Sequence, residues 1–183
     1  MDKERIKKAV AEILKAIGED PDKNELRKTP ERFAVMMEDV LSGKGKDVKD
    51  ILKVTHELRH DEMVLVKSVP FYSMCEHHFV PFFGKCHVAY IPKKNRIVGV
   101  SKLVEIIDVL SRKLQLQERF TTEIADSIMK HLEPKGVGVV IEARHLCIEM
   151  RGLKVPAEIV TSAVRGLFRE DIKTREEFLK LIK

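Results

Sequence analysis

The chain has 183 residues, 44% of them hydrophobic, which is enough for one domain with a real core and a small helical appendage. Its formal net charge is +5 and its sequence pI about 9.0, a balance that suits an anionic ligand: nucleic acid, a membrane surface or a phosphorylated metabolite. The charges are interspersed along predicted helices and no basic run carries interleaved aromatics, which argues against nucleic acid, and nothing approaches an apolar span of about 18 residues, which argues against a membrane helix.

In chain order, residues 2–17 place Ile6, Val10, Ile13, Leu14 and Ile17 on one helical face, and Gly18 stops the pattern. MDKERIKKAVAEILK carries no apolar signal core and no cleavage site, so no export leader is expected. Thr29-Pro30-Glu31 is a helix start, with a Thr cap, a Pro at the first position and an acid in the first turn. Phe33, Met36, Met37, Val40 and Leu41 follow at helical spacing until Ser42-Gly43-Lys44-Gly45 ends the helix. Residues 1–50 therefore read as a separable helical region, and 51–183 as the main domain.

Residues 62–69, EMVLVKSV, predict a strand, and 79–91, FVPFFGKCHVAYI, a longer one. Pro92 to Asn95 form a polar turn before the short apolar run Ile97 to Val100. Ser101 caps a helix lined by Leu103, Ile106, Ile107, Leu110 and Leu114. Gln115 to Arg119 begin or continue another, with Ile124, Ile128 and Leu132 buried, until Pro134 and Gly136 break it. Residues 137–150, VGVVIEARHLCIEM, predict the strongest strand, part of 153–168 a last strand, and 174–182 a short amphipathic helix. The fold class is α+β: an antiparallel four-stranded sheet with two helices on one face, preceded by an N-terminal helical pair.

The chemistry gathers in two places. On a continuous strand, His145, Cys147 and Glu149 share one face and Leu146, Ile148 and Met150 the other. In SMCEHHFVPF, Cys75 and His78 have the C-x-x-H spacing that lets a tight turn aim a thiolate and an imidazole at one ion. One distant ligand would complete a three-ligand site, the pattern that leaves a fourth position for water. Cys147 is the obvious third ligand. Cys86 competes, but it alternates in phase with Val88 and Tyr90 and reads as a buried structural cysteine.

Adjacent side chains diverge, so spacing favours His78 as ligand and His77 as an acid–base group beside the metal. Glu76 has no assigned chemistry. His87 looks into the site or into solvent, and His56, His60 and His131 are assigned no function. Ser101-Lys102 at a helix start suit an anion, and Gln117-Glu118 could read a purine edge; each is also ordinary as a cap or as helix surface. Arg151 follows the His-Cys-Glu run and lies near the metal end of the sheet.

CEHHFVPFFGKCHVAYIP, GVSKL, QLQERFT, GVGVVIEARHLC and RG, in that order, resemble the GTP cyclohydrolase I family, as does TPERFAVMMEDVLSG nearer the N-terminus. The resemblance covers roughly residues 22–182. It implies the tunnelling fold for 51–183, with sheets from several subunits joined into a barrel. It also implies a homodecamer with sites between subunits, and zinc (Zn2+) on Cys75, His78 and Cys147; a cytoplasmic setting is expected instead from the odd, low count of three cysteines and the lack of a signal core. The implied reaction opens the imidazole ring of GTP: water adds at C8, formate leaves, and an Amadori-type rearrangement closes the ring as 7,8-dihydroneopterin triphosphate. By position, His77 would protonate the purine ring nitrogen and His145 would assist later proton transfers. Gln117 and Glu118 would anchor guanine, and Ser101, Lys102, Arg151 and Arg32 would face the ribose and triphosphate.

Two positions depart from the family pattern. Glu105 stands where the family usually has an arginine, and Val35 where it often has a lysine; Lys154 and Arg165 are candidate replacements for the lost cations. A same-fold cyclohydrolase acting on a less phosphorylated guanosine nucleotide or related purine is therefore a second reading. A non-catalytic purine- or pterin-binding zinc protein is a third.

Overall fold

The computed structural model describes residues 1–53, 56–57, 60–94 and 96–183, with backbone alone at 56 and 57. Asn95, the end of the predicted polar turn, lies outside the described residues, as does the His56 side chain. The chain divides into two compact units, Met1–Ser42 and Gly43–Lys183.

In the first unit, α1 (Lys3–Ala16) starts at Asp2, whose carboxylate accepts from the Arg5 N–H at 3.0 Å. α2 (Thr29–Val40) opens with Pro30 in its first turn. Its cap position is Lys28, not Thr29, because the chain enters already helical at Lys28 and offers no side-chain acceptor there. The helices pack on each other and bury Val10, Leu14, Ala34 and Met37. Ile13, Ile17 and Met36 of the expected apolar stripes, and Val35 beside them, stay exposed within this unit.

The second unit is built on one sheet of order β5-β2-β3-β6-β7: β2 is Val64–Cys75, β3 Pro81–Ile91, β5 Leu114–Gln115, β6 Gly136–His145 and β7 Glu158–Gly166. A two-stranded ribbon, β1 (His56–Glu57) with β4 (Arg96–Ile97), stands apart. β2, β3, β6 and β7 form the expected antiparallel set. The sheet has five strands rather than four because β5 adds a two-residue parallel rung, Met74↔Leu114 and Cys75↔Gln115, at the end of β2. β2 also runs six residues past its predicted end. Pro70 does not stop it, because β5 covers only the last rungs of that edge.

α3 (Val100–Ser111) and α4 (Gln117–Leu132) lie on one face. There Ile106, Ile107, Phe120, Ile124 and Ile128 are fully buried against Val88, Tyr90, Val139 and Ile141. Each such side chain contributes about 1.5–3 kcal/mol of burial. The opposite face is not bare: α6 (Leu167–Glu170) and α7 (Ile172–Ile182) bring Phe168 and Phe178 onto Ala89, Ile91 and Val140. Gly138 is required beneath them, since a Cβ there would lie 2.7 Å from the Phe168 ring. At the start of the unit, a Cβ on Gly43 would lie 1.9 Å from the Val109 carbonyl oxygen; only glycine lets the backbone approach α3 this closely.

Two expectations are corrected in ways that bear on the site. The strand predicted over 137–150 ends at His145, and Leu146–Glu149 turn into a helical segment, α5, closed by Met150 N–H to Leu146 O at 3.0 Å. Strand alternation therefore does not place Cys147 and Glu149. Ser101 is not a cap either: α3 starts two residues earlier than a Ser101 cap implies, with Gly99 at the cap position and Ser101 exposed in the first turn.

His87 looks neither into the site nor into solvent. It pairs with Val140 across β3–β6, is 2% exposed, and accepts from the Ser68 N–H through Nδ1 at 3.4 Å. Its Nε2 finds no partner among the described residues. Burial lowers its pKa, with Lys67 and Lys85 adding to the effect and Glu142 opposing it. The folded value thus lies below an unfolded value of about 6.5. Below that pH the unfolded chain binds the extra proton, so stability falls as pH falls. His87→Leu is expected to flatten the acid limb of stability by up to about 1.4 kcal/mol per pH unit below pH ~6.5. Urea unfolding of both proteins between pH 7 and 5 checks it; parallel curves would refute it.

Candidate active site

The first ligand turn follows directly from β2. Cys75 N–H donates to Val80 O at 2.9 Å and Phe79 N–H to Cys75 O at 3.0 Å, closing a tight loop around Glu76, His77 and His78. Phe79 takes a left-handed φ of 53°, which turns the chain back into β3. Cys75 is buried, His77 and His78 are exposed, and His78 Nδ1 lies 3.9 Å from Cys75 Sγ. The rings of His77 and His78 stand 6.2 Å apart at 83°, so the two imidazoles serve different directions.

The third sulfur arrives from α5. The helical turn after His145 brings Cys147 to the loop, and ligand atoms of Cys75, His78 and Cys147 all lie within 4.8 Å of one another. Burial first, and then the Cys75 sulfur, push the Cys147 thiol up, while Arg151 pulls it down. Two sulfurs and an imidazole nitrogen at this spacing form a compact donor set that a soft dication fits. Arg144 holds the turn in place through two bonds to Glu149, at 2.9 and 2.5 Å. Cys86 is fully buried in the core cluster, and burial pushes its thiol up, as the in-phase apolar pattern implied.

His145, the last residue of β6, stacks on Phe82 with ring centroids 4.8 Å apart and planes within 9°. Its Nε2 lies 2.7 Å from Gln117 Oε1. The Gln117 amide nitrogen donates to Ile141 O at 3.1 Å and Ile159 O at 2.9 Å. Both partners only accept, so the amide cannot flip and its oxygen must face the imidazole. His145 therefore carries a hydrogen on Nε2 and presents Nδ1 as its free nitrogen. Burial lowers the His145 pKa, while Glu118 and Glu149 oppose that shift.

A family model described as GTP cyclohydrolase I matches residues 6–183. The chain belongs to the GTP cyclohydrolase I family. Proteins named GTP cyclohydrolase 1 are similar to it over its whole length: 58% identical from Caldanaerobacter subterraneus subsp. tengcongensis, with 97% of that protein covered. The one from Aquifex aeolicus is 56% identical with 98% covered, and that from Clostridioides difficile 55% with 97% covered.

Of the residues assigned from the resemblance to the GTP cyclohydrolase I family, the structure brings Cys75, His78 and Cys147 together, keeps His77 on the same turn, and pairs His145 with Gln117. Gln117 is 1% exposed with its amide fully engaged, whereas Glu118 beside it is exposed. Ser101 and Lys102 lie in the first turn of α3, where the Lys102 ammonium meets Glu105 at 2.7 Å. Arg165, offered as a replacement cation, is held by Asp126 at 2.8 Å, and Lys154 is exposed after α5. Arg32 is exposed on α2, in the other unit. Glu76, Gln115, Arg119 and Arg144 carry contacts at this site that sequence reasoning passed over. The signal for Gln115 and Arg119 is the polar density of QLQER, which reads as helix surface until β5 places Gln115 beside Cys75.

Proposed function

We propose that this chain is a zinc-dependent GTP cyclohydrolase I. It opens the imidazole ring of GTP hydrolytically, releases formate and closes the product as 7,8-dihydroneopterin triphosphate. The convergence of Cys75, His78 and Cys147, with His77 on the same turn but outside the donor set, carries this reading. Zinc held by those three side chains would supply Lewis acidity and a water of pKa near ~7. His77 donates a proton to the purine ring nitrogen as the ring opens. His145, oriented by Gln117, exchanges protons at Nδ1 in the later rearrangement. Glu118 accepts from the guanine N–H groups. Ser101, Lys102 and Arg151, with Arg32, meet the ribose and triphosphate. An assay following formate and pterin fluorescence, paired with metal analysis, tests this; a chain that holds zinc yet releases no formate would favour the non-catalytic binding protein.

The Lys102–Glu105 ion pair favours one second reading, a cyclohydrolase acting on a less phosphorylated guanosine nucleotide. A carboxylate that occupies a phosphate-binding ammonium weakens the contact to a polyanion. Glu105→Arg is then expected to lower KM for GTP by roughly tenfold while leaving KM for GMP nearly unchanged. Steady-state comparison of GTP, GDP and GMP on both proteins decides it, and a strong GTP preference in the unmodified chain would sink the second reading.

The working form is proposed to be a homodecamer with sites shared between subunits. Among the described residues β7 offers an open edge, Val160 on it and Met150, Leu153 and Val155 in the segment before it are exposed, and α1 and α2 leave apolar side chains uncovered. A monomer in sedimentation would contradict this. The division at 1–50 and 51–183 assigns metal and purine chemistry to the second segment. Two sulfur ligands that must stay reduced fit a cytoplasmic setting, and no nucleic-acid or membrane partner is part of the proposal.

A further inference from the structure

The metal turn closes on itself through backbone bonds, but those bonds do not fix its height against the neighbouring elements. Glu76 supplies that link. Its N–H donates to Gln115 O at 3.2 Å, and its carboxylate accepts from the Arg119 guanidinium. Arg119 is aimed by a buried amide. Gln115 is fully buried, and its Nε2 donates to Leu110 O at 3.0 Å and to the Glu123 carboxylate at 2.8 Å. Both of those partners can only accept, so Gln115 Oε1 must point the other way, where it receives Arg119 Nε at 3.0 Å. Lys113 completes the chain by pairing with Glu123 at 2.8 Å.

We propose that Gln115 and Arg119 are positioning residues that, through Glu76, lock the Cys75–His78 turn in register with the first turn of α4. The proposal rests on the reading of this turn as the metal centre of a cyclohydrolase. Its consequence is geometric. Glu76 sits between a ligand and His77, and Arg119 sits two residues from Gln117, which orients His145. One clamp therefore ties both histidine proton-transfer positions and two of the three ligands to a common frame. A shift of about 1 Å in such a frame can cost on the order of 100-fold in rate. Residues that orient ligands typically carry ~10–100-fold in metal affinity or activity. Arg119 is partly exposed and its pair with Glu76 adds little to global stability, so a positioning role and a merely structural one predict different results.

The test uses the assembled full-length protein with Arg119→Met, Arg119→Lys, Glu76→Gln and the double Glu76→Gln/Arg119→Met variant. Zinc affinity is measured by chelator competition without nucleotide, alongside kcat, KM for GTP and thermal unfolding. Arg119→Met is expected to weaken zinc binding and lower kcat by about 10- to 100-fold each, with KM and the unfolding temperature moving little. Arg119→Lys, which offers one nitrogen in place of the two that Arg119 aims at Gln115 and Glu76, should recover only part of the loss. The double variant should be no worse than Arg119→Met alone, because both remove one link. Unchanged zinc affinity and kcat in Arg119→Met, or fully additive losses in the double variant, would overturn the clamp. Should Arg119→Met fail to fold, the near-isosteric Glu76→Gln decides by the same two readouts. If the unmodified protein releases no formate, the cyclohydrolase reading fails, while the zinc competition still judges the clamp.

Discussion

Cys147→Ala is expected to strip the chain of both zinc and formate release. The site has three protein donors, and the two that remain, Cys75 and His78, come from one loop and share one approach direction. Cys147 closes the site from a different element, so its loss opens the donor set on a whole side. Partners of ligands typically carry ~10–100-fold; loss of a ligand itself should exceed that, lowering turnover by more than about 10³-fold. Metal content by elemental analysis, with formate release at saturating GTP, measures both effects. Cys86→Ala is the informative control. Cys86 is fully buried in the apolar cluster, so its loss leaves a small cavity, costs about 1 kcal/mol and spares zinc and turnover. The reverse outcome, with zinc lost from Cys86→Ala and kept in Cys147→Ala, would overturn the ligand assignment.

Cys147 also marks where sequence reasoning reached the right residue by an incomplete route. Strand periodicity put His145, Cys147 and Glu149 on one face, yet only His145 is in the strand. The helical turn of α5 delivers Cys147 to the loop, and Glu149 turns back to hold Arg144. Periodicity could not see this break, because LCIEM continues the apolar alternation without a glycine or proline to mark an end. The C-x-x-H spacing was legible because it is local: a four-residue turn nearly fixes its own geometry. The long strands and the two helices on one face were legible for a similar reason, since their apolar periods run for ten or more residues.

What was not legible depends on pairing. β5 has two residues and no period, yet it brings Gln115 alongside Cys75 and so makes the polar run QLQER a structural hub. The buried state of Gln117 has the same origin. Its amide is satisfied by carbonyls of β6 and β7, more than twenty residues downstream, and nothing in the local sequence announces them. For His87, alternation gives a face but not what covers it; it shares a face of β3 with Ala89 and Ile91, which the helices at the chain end cover.

His77→Ala separates metal binding from proton transfer, the distinction on which the reading of the CEHH turn depends. His78 Nδ1 faces the Cys75 sulfur, whereas the His77 side chain is 63% exposed and its Nε2 lies 4.0 Å from Glu76 Oε1, away from the donor set. Removing His77 therefore takes no donor from the metal and leaves both backbone bonds that close the turn intact. The expected outcome is a protein with its full zinc content and a kcat lower by ~10²–10⁴-fold, the range general acid–base groups supply. KM for GTP should change far less, because a proton donated in the transition state adds little to ground-state binding. His78→Ala should differ in kind, losing zinc and turnover together. Paired metal analysis and steady-state kinetics on the two variants read this directly. Loss of zinc from His77→Ala would exchange the roles of the two histidines. Full activity in His77→Ala with zinc retained would move the proton to another group, and His145 Nδ1, already left free by Gln117, is the nitrogen that geometry offers next.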